Sequence, residues 1–262
     1  MTQYSFMPKQ NLEDLARKLG LGHYAQKKPE IITPAQKITS ISGNEEFSIQ
    51  EDNEFYTIKG IKYEGQIVTI NWDKELLDNG ESHTQDEWIT LTDKLPDIAV
   101  YHATLSALLA HKKGPCAELV QKVKKMFKKD FDDKDYIMTS TRMKYKPKSK
   151  DEIIHNYGSQ QPRIAKIDFT GPEAWIDDKS GLEKQMEALL GTSDLKEIEK
   201  VYSWFGDKPY LWRLNAKPEQ TTQGAVVLGR YIGSNGFYIF CNDYIFIRPA
   251  RGAVIVEKKK VP

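Results

Sequence analysis

The residues with the most reactive chemistry are two cysteines, five histidines and a scatter of carboxylates. Cys116 follows Gly114-Pro115 and opens an amphipathic run. Proline is favoured in the first turn of a helix, so this thiol is expected at a helix N-terminus, where the dipole favours thiolate. Lys112 and Lys113 would add to that field, and His111 or His102 would serve as a base. These residues also have plain structural uses. A lone cysteine fills core space, a histidine suits a helix end, and His102 shares a face with Ile98 and Leu105.

A second constellation is the carboxylate pair Asp168, near the end of an expected strand, and Glu173, after the following turn. Paired acids at a strand end suit glycosidic cleavage or a divalent cation, and they suit turns and caps as well. Either constellation would make the chain a hydrolase or a transferase. The histidines show no metal-ligand spacing and the cysteines form no CxxC pair, so no metal site and no cofactor are expected. The glycines between Gly229 and Gly236 fit neither a dinucleotide nor a Walker A spacing, and read as a hairpin turn.

Binding chemistry is better represented. Lys122, Lys125 and Lys129 recur on the polar side of a helical run. Arg142, Lys144, Lys146 and Lys148 then alternate along a strand and its loop, which puts them on one face and suits a row of phosphates. Lysine positions a backbone without reading bases, so nucleic acid or another polyanion is the leading expected partner. Between Tyr202 and Phe246 the chain also holds 11 aromatics in 45 residues, against 11% overall. Such density builds either a core or a stacking platform, and Trp212 and Tyr231 are the expected stacking residues.

The elements that must position these groups are legible as changes of period. Asn11–Leu19 reads as a short capped helix. Branched and aromatic runs within 38–72 read as strands, and the polar stretch 73–93 as a loop. Asp97 caps a helix to about His111 that is apolar nearly all round. A second, amphipathic helix to about Lys129 completes a helical hairpin. Strands are expected at 136–145 and 163–169. Two further helices are expected, started by Ser180 with Glu183 and by Asp194 with Glu197. The last fifty residues, punctuated by Asn235-Gly236, Asn242-Asp243 and Arg251-Gly252, read as a four-strand antiparallel meander covered on both faces, with Tyr210–Leu214 as a candidate fifth strand. The fold class is therefore α+β, with the helical hairpin and two further helices packed on a mainly antiparallel sheet.

Charge divides the chain more sharply than its totals of 38 basic and 37 acidic residues suggest. Residues 30–97 hold 15 acids and 5 bases, and residues 112–150 hold 13 bases and 5 acids. The opposed segments either pair with each other or await partners. An acidic, β-containing region 1–97 and an α+β region 98–262 follow as the expected division, with a single domain spanning both as the alternative. The acidic 73–97 segment is then an alternative protein-binding surface. No run is long and apolar enough for a membrane span, and the first residues lack the pattern of a secretory signal. The expectation is a cytoplasmic protein with no membrane contact.

Overall fold

The branched and aromatic runs fold as strands, sorted among the described residues into two large sheets and one two-stranded ribbon. The computed structural model describes residues 47–133, 136–206, 208–230 and 236–260. The expected helix at 11–19 lies outside them.

The first sheet joins the early strands to the end of the chain. β1 (Ser48–Glu51), β2 (Phe55–Tyr63) and β3 (Gln66–Leu76) pair antiparallel in order, and the last strand, β13 (Arg251–Lys260), adds to β3. Glu64 and Gly65 turn β2 into β3 with φ of 50° and 69°, as a tight hairpin requires. After β3 comes a short turn at Leu77–Gly80. β4 (His83–Thr84) and α1 (Gln85–Leu91) follow, where the sequence reads as a polar loop. The helix exists because Thr84 and Glu87 form a reciprocal capping box, which outweighs the polarity of the segment.

α2 (Ile98–Ala110) starts where expected, with the Asp97 carboxylate accepting from the Val100 amide at 2.8 Å. α3 (Ala117–Asp133) follows it, but the two do not form a closely packed hairpin. Being apolar on almost every side, α2 takes β2, α4 (Glu183–Leu190) and α5 (Leu195–Ser203) as its main neighbours, while α3 packs chiefly on β10 and β1. Asp194 caps α5 through the Glu197 amide at 3.0 Å, and Gly191 ends α4 with φ 81°. The box expected at Ser180 does not form: the Ser180 hydroxyl donates to the Asp177 carbonyl instead.

The second sheet contains β5 (Ile137–Tyr145), β6 (Asp151–His155), β7 (Arg163–Ile167), β8 (Ala174–Trp175), β9 (Lys208–Trp212), β10 (Thr222–Arg230) and β11 (Gly236–Phe240). Its order is β7-β6-β5-β10-β11-β9-β8, and only β11 and β9 run parallel. This topology replaces the expected meander. β10 and β11 do form a hairpin, but β9 occupies the second edge of β11, so the chain beyond finds no open edge on β11. β12 (Ile247–Arg248) therefore joins β4, and β13 leaves for the first sheet.

Alternation sets two cores against the seven-stranded sheet. Ile137, Val226, Leu228, Phe237 and Ile239 face the helices in the main core. Trp72 of β3 anchors that core. Its indole donates to the Thr104 hydroxyl at 3.2 Å, and its ring meets those of Tyr101 and Phe127 at centroid distances of 4.8 and 4.9 Å. Met138, Ala225, Val227 and Phe240 face the other way, under Trp88 of α1, Leu95, Tyr136 and Ala250. The described residues all fall in one unit by contact, and residue 97 in it is the cap of α2.

Candidate functional site

Beyond the small second core, the outward face of the seven-stranded sheet carries a row of rings. β11 contributes Tyr238 and Phe240, and the register places Tyr210 and Trp212 of β9 beside them and Trp175 of β8 beside Tyr210. Period-2 alternation puts all five on one face. Trp175 and Tyr210 lie with centroids 4.9 Å apart, Tyr210 and Tyr238 5.6 Å, Trp212 and Phe240 5.1 Å. Phe240 is buried, but Trp175 is 42% and Trp212 37% exposed. The row is therefore an apolar shelf open to water across three adjacent strands.

Neighbouring rings of the row are tilted, Trp175 by 74° to Tyr210 and Tyr210 by 58° to Tyr238, and local contacts hold them in place. Gly236 lies beneath the Tyr238 ring, where a Cβ would stand 2.8 Å from its Cε2. The Tyr210 hydroxyl donates to Glu173 at 3.2 Å, and burial followed by that carboxylate raises its pKa. Lys208 reaches to 6.0 Å from the Trp175 centroid while pairing with Asp177 at 2.9 Å. At the other margin the guanidinium of Arg248 covers Tyr136 and Phe246. Tyr244, 64% exposed, continues the rings beyond Phe246.

The same face of the sheet carries basic residues at its far corner. Lys144 of β5 stands opposite Glu152 of β6, and Glu152 opposite Lys166 of β7. Lys146 donates to Glu152 at 2.5 Å, with Lys144 and Lys166 each 4.0 Å from it. The hydrogen bond from Lys146, with the surrounding ammonium charge, holds the Glu152 carboxyl below its ordinary pKa. Three ammonium groups thus surround one carboxylate, and Lys148 and Lys150 stand exposed in the adjoining loop.

The expected basic residues are not all brought together. Arg142 is buried under α1, donating to Gln85 at 2.7 Å and Asp86 at 2.8 Å, with Tyr157 under its guanidinium. Its alternation with Lys144 is real, but α1 covers that part of the face. Lys122, Lys125 and Lys129 lie on the outer side of α3, which packs against the opposite face of the sheet. Glu51 receives both Lys74 and Lys122, and those hydrogen bonds hold its pKa at about 2. Of the expected stacking pair, Trp212 lies in the row, and Tyr231 is outside the described residues.

Cys116 does sit immediately before α3, and it lines a pocket of about 480 Å³ with His111. His111 is held in other work: its ring stacks on Phe47 at 4.0 Å. Its Nδ1 lies 2.9 Å from the Ala107 carbonyl, an arrangement in which that nitrogen must donate. The acids part company. Asp168 lies 3.6 Å from Lys217, whereas Glu173 serves Tyr210. The acidic 73–97 segment is tied to the rest of the fold through Asp86 with Arg142 and the α2 cap at Asp97, while Asp73 pairs within the segment with Lys94 at 3.2 Å. No described helix is long and apolar enough to cross a membrane.

Sequence reasoning missed Trp175, Tyr210, Tyr238 and Lys166 as members of this face. Period-2 spacing within 210–212 and 238–240 was the available signal, but only the pairing of distant strands merges those residues into one row. No family model, curated protein or solved structure matches the chain.

Proposed function

We propose that the chain binds single-stranded nucleic acid on the outward face of its seven-stranded sheet. The observation that carries this reading is the row Trp175, Tyr210, Tyr238 and Trp212 on neighbouring strands, with both tryptophans exposed and the tyrosines half-buried. Bases stack on such rings regardless of sequence, each worth about 1–3 kcal/mol. The Lys144, Lys146 and Lys166 group on the same face attracts the phosphate backbone. A duplex hides its base faces within its own stack, so unpaired strands are the form that suits a row of rings.

Anisotropy of labelled oligo(dT), oligo(U) and a duplex tests the reading. The single strands should bind more tightly than the duplex, and affinity should fall as salt rises. Trp175→Ala and Trp212→Ala should each weaken single-strand binding by about 5- to 100-fold, the equivalent of one base left unstacked. Undetectable binding at low salt, or binding that survives both substitutions together, would exclude the face as the interface. Salt-insensitive binding of a neutral glucan in place of the oligonucleotides would reassign the row to sugar rings.

A further inference from the structure

A second opening shares no residue with the aromatic row. A cavity of about 640 Å³ lies over α2, bounded by the β2–β3 turn, the start of β7 and the connection from α4 to α5. That volume suits a small molecule. It exists because one stripe of α2 is made of Ala99, Ala103, Ala107 and Ala110. The other sides of the same helix carry Ile98, Tyr101, Leu105 and Leu108, all buried. Larger side chains on the stripe would fill the space.

Polar groups on the cavity wall are left without partners. His102 is 3% exposed, and neither ring nitrogen makes a hydrogen bond among the described residues. Burial lowers its pKa to about 4, so near neutral pH the imidazole offers one N–H and one lone pair. Arg163 has Nε 2.5 Å from Glu64, yet its Nη2 is buried with no hydrogen bond. Unpaired buried polar groups are costly, and a bound molecule would satisfy them.

The charges on the wall say what kind of molecule. The end of β2, the turn and the start of β7 contribute Lys62, Glu64 and Arg163 to the lining, a surplus of positive charge, with Arg163 paired to Glu64. The residues from the α4–α5 side bring one charge, Glu197, which accepts from the Ser106 hydroxyl. Between them lies the uncharged alanine stripe.

We infer that this cavity binds a small zwitterion of the amino-acid type. Its carboxylate lies against Arg163, its ammonium against Glu197 and its short side chain over the alanines. His102 supplies a lone pair or an N–H to its polar end.

Thermal melting of the full chain with the common free amino acids, supplied one at a time, tests this. At least one should raise the Tm saturably, because a ligand bound only by the native state stabilises it. Acetate and methylamine supplied separately should not reproduce the rise. Ala107→Leu, which fills the cavity, should retain a cooperative melt and lose the response. Glu197→Gln should weaken the response roughly tenfold or more, as expected for losing a charged hydrogen bond. The inference is overturned if no amino acid shifts the Tm, if the shift persists unchanged in a folded Ala107→Leu, or if acetate alone matches it and Glu197→Gln has no effect. Oligonucleotide binding by Ala107→Leu, read in parallel, reports independently on the sheet.

Discussion

His102 shows how far a single residue can be read. Its spacing with Ile98 and Leu105 correctly places it on a buried side of α2, but spacing carries no information about whether its nitrogens find partners. They find none among the described residues. The consequence is a pH dependence of definite sign. The folded pKa, about 4, lies below the ordinary 6.5, so between these values the unfolded chain binds the proton and the native chain does not. Stability is therefore lost as pH falls from about 6.5 to 4 and levels off below, each tenfold difference in proton affinity being worth about 1.4 kcal/mol. His155, also lowered by burial, acts in the same direction. Urea melts across this range should show His102→Leu more stable by about 1–2 kcal/mol at neutral pH. They should also show a shallower acid limb, leaving the part due to His155. An unchanged limb would assign the whole dependence elsewhere. Cys116 is a contrasting case: Gly-Pro fixes it at a helix start from sequence alone, whereas the stacking of His111 on Phe47 depends on a residue far away in the chain.

Elements defined by local signals are legible, and those defined by distant pairing are not. Asp97 and Asp194 start their helices by accepting from amides three residues on, and Gly191 stops one by its backbone conformation. The four-strand meander fails because its premise, that neighbours in sequence pair in space, does not hold once β9 takes the edge of β11. The final strand has instead a long-range tie. Arg251 of β13 makes a bidentate pair with Asp130 of α3, with Nη2 to Oδ1 at 2.6 Å, and its Nη1 donates to the Asp73 carbonyl. Both residues are 3% exposed. Removing one member of such a pair leaves a buried charge without its principal partner, so Arg251→Met should destabilise by about 3–5 kcal/mol. Arg251→Met with Asp130→Leu should recover much of that loss, because the charge is then gone too. Equal losses in the single and double variants would mean that β13 is held by its ladder to β3 and not by this pair.

At the scale of the whole molecule, the question raised by the opposed acidic and basic segments has a mixed answer. Glu51 with Lys122, and Asp86 with Arg142, join the two segments internally. Lys125 and Lys129 are exposed and have no ion pair among the described residues. The lysines of the basic segment are divided by the sheet. Lys122, Lys125 and Lys129 lie outside the helical layer on one side, and Lys144 and Lys166 stand on the other with the rings, Lys146 bonding the Glu152 between them. Sequence proximity makes one basic segment of them, and the fold makes two surfaces. If a single strand lies on the rings, its phosphates meet the second group and not the first. Lys144→Gln with Lys146→Gln should therefore weaken oligonucleotide binding and reduce the slope of log affinity against log salt by about 1.4, roughly 0.7 for each phosphate no longer neutralised. Lys125→Gln with Lys129→Gln removes the same formal charge, so it matches the first pair in any effect of net charge alone. It should leave the slope near its original value. An equal reduction of slope by both pairs would mean that the strand follows total charge and ignores the sheet, while a reduction confined to Lys125 and Lys129 would move the interface to α3. The comparison thus separates the surface that the chain's composition suggests from the surface that its strand order creates.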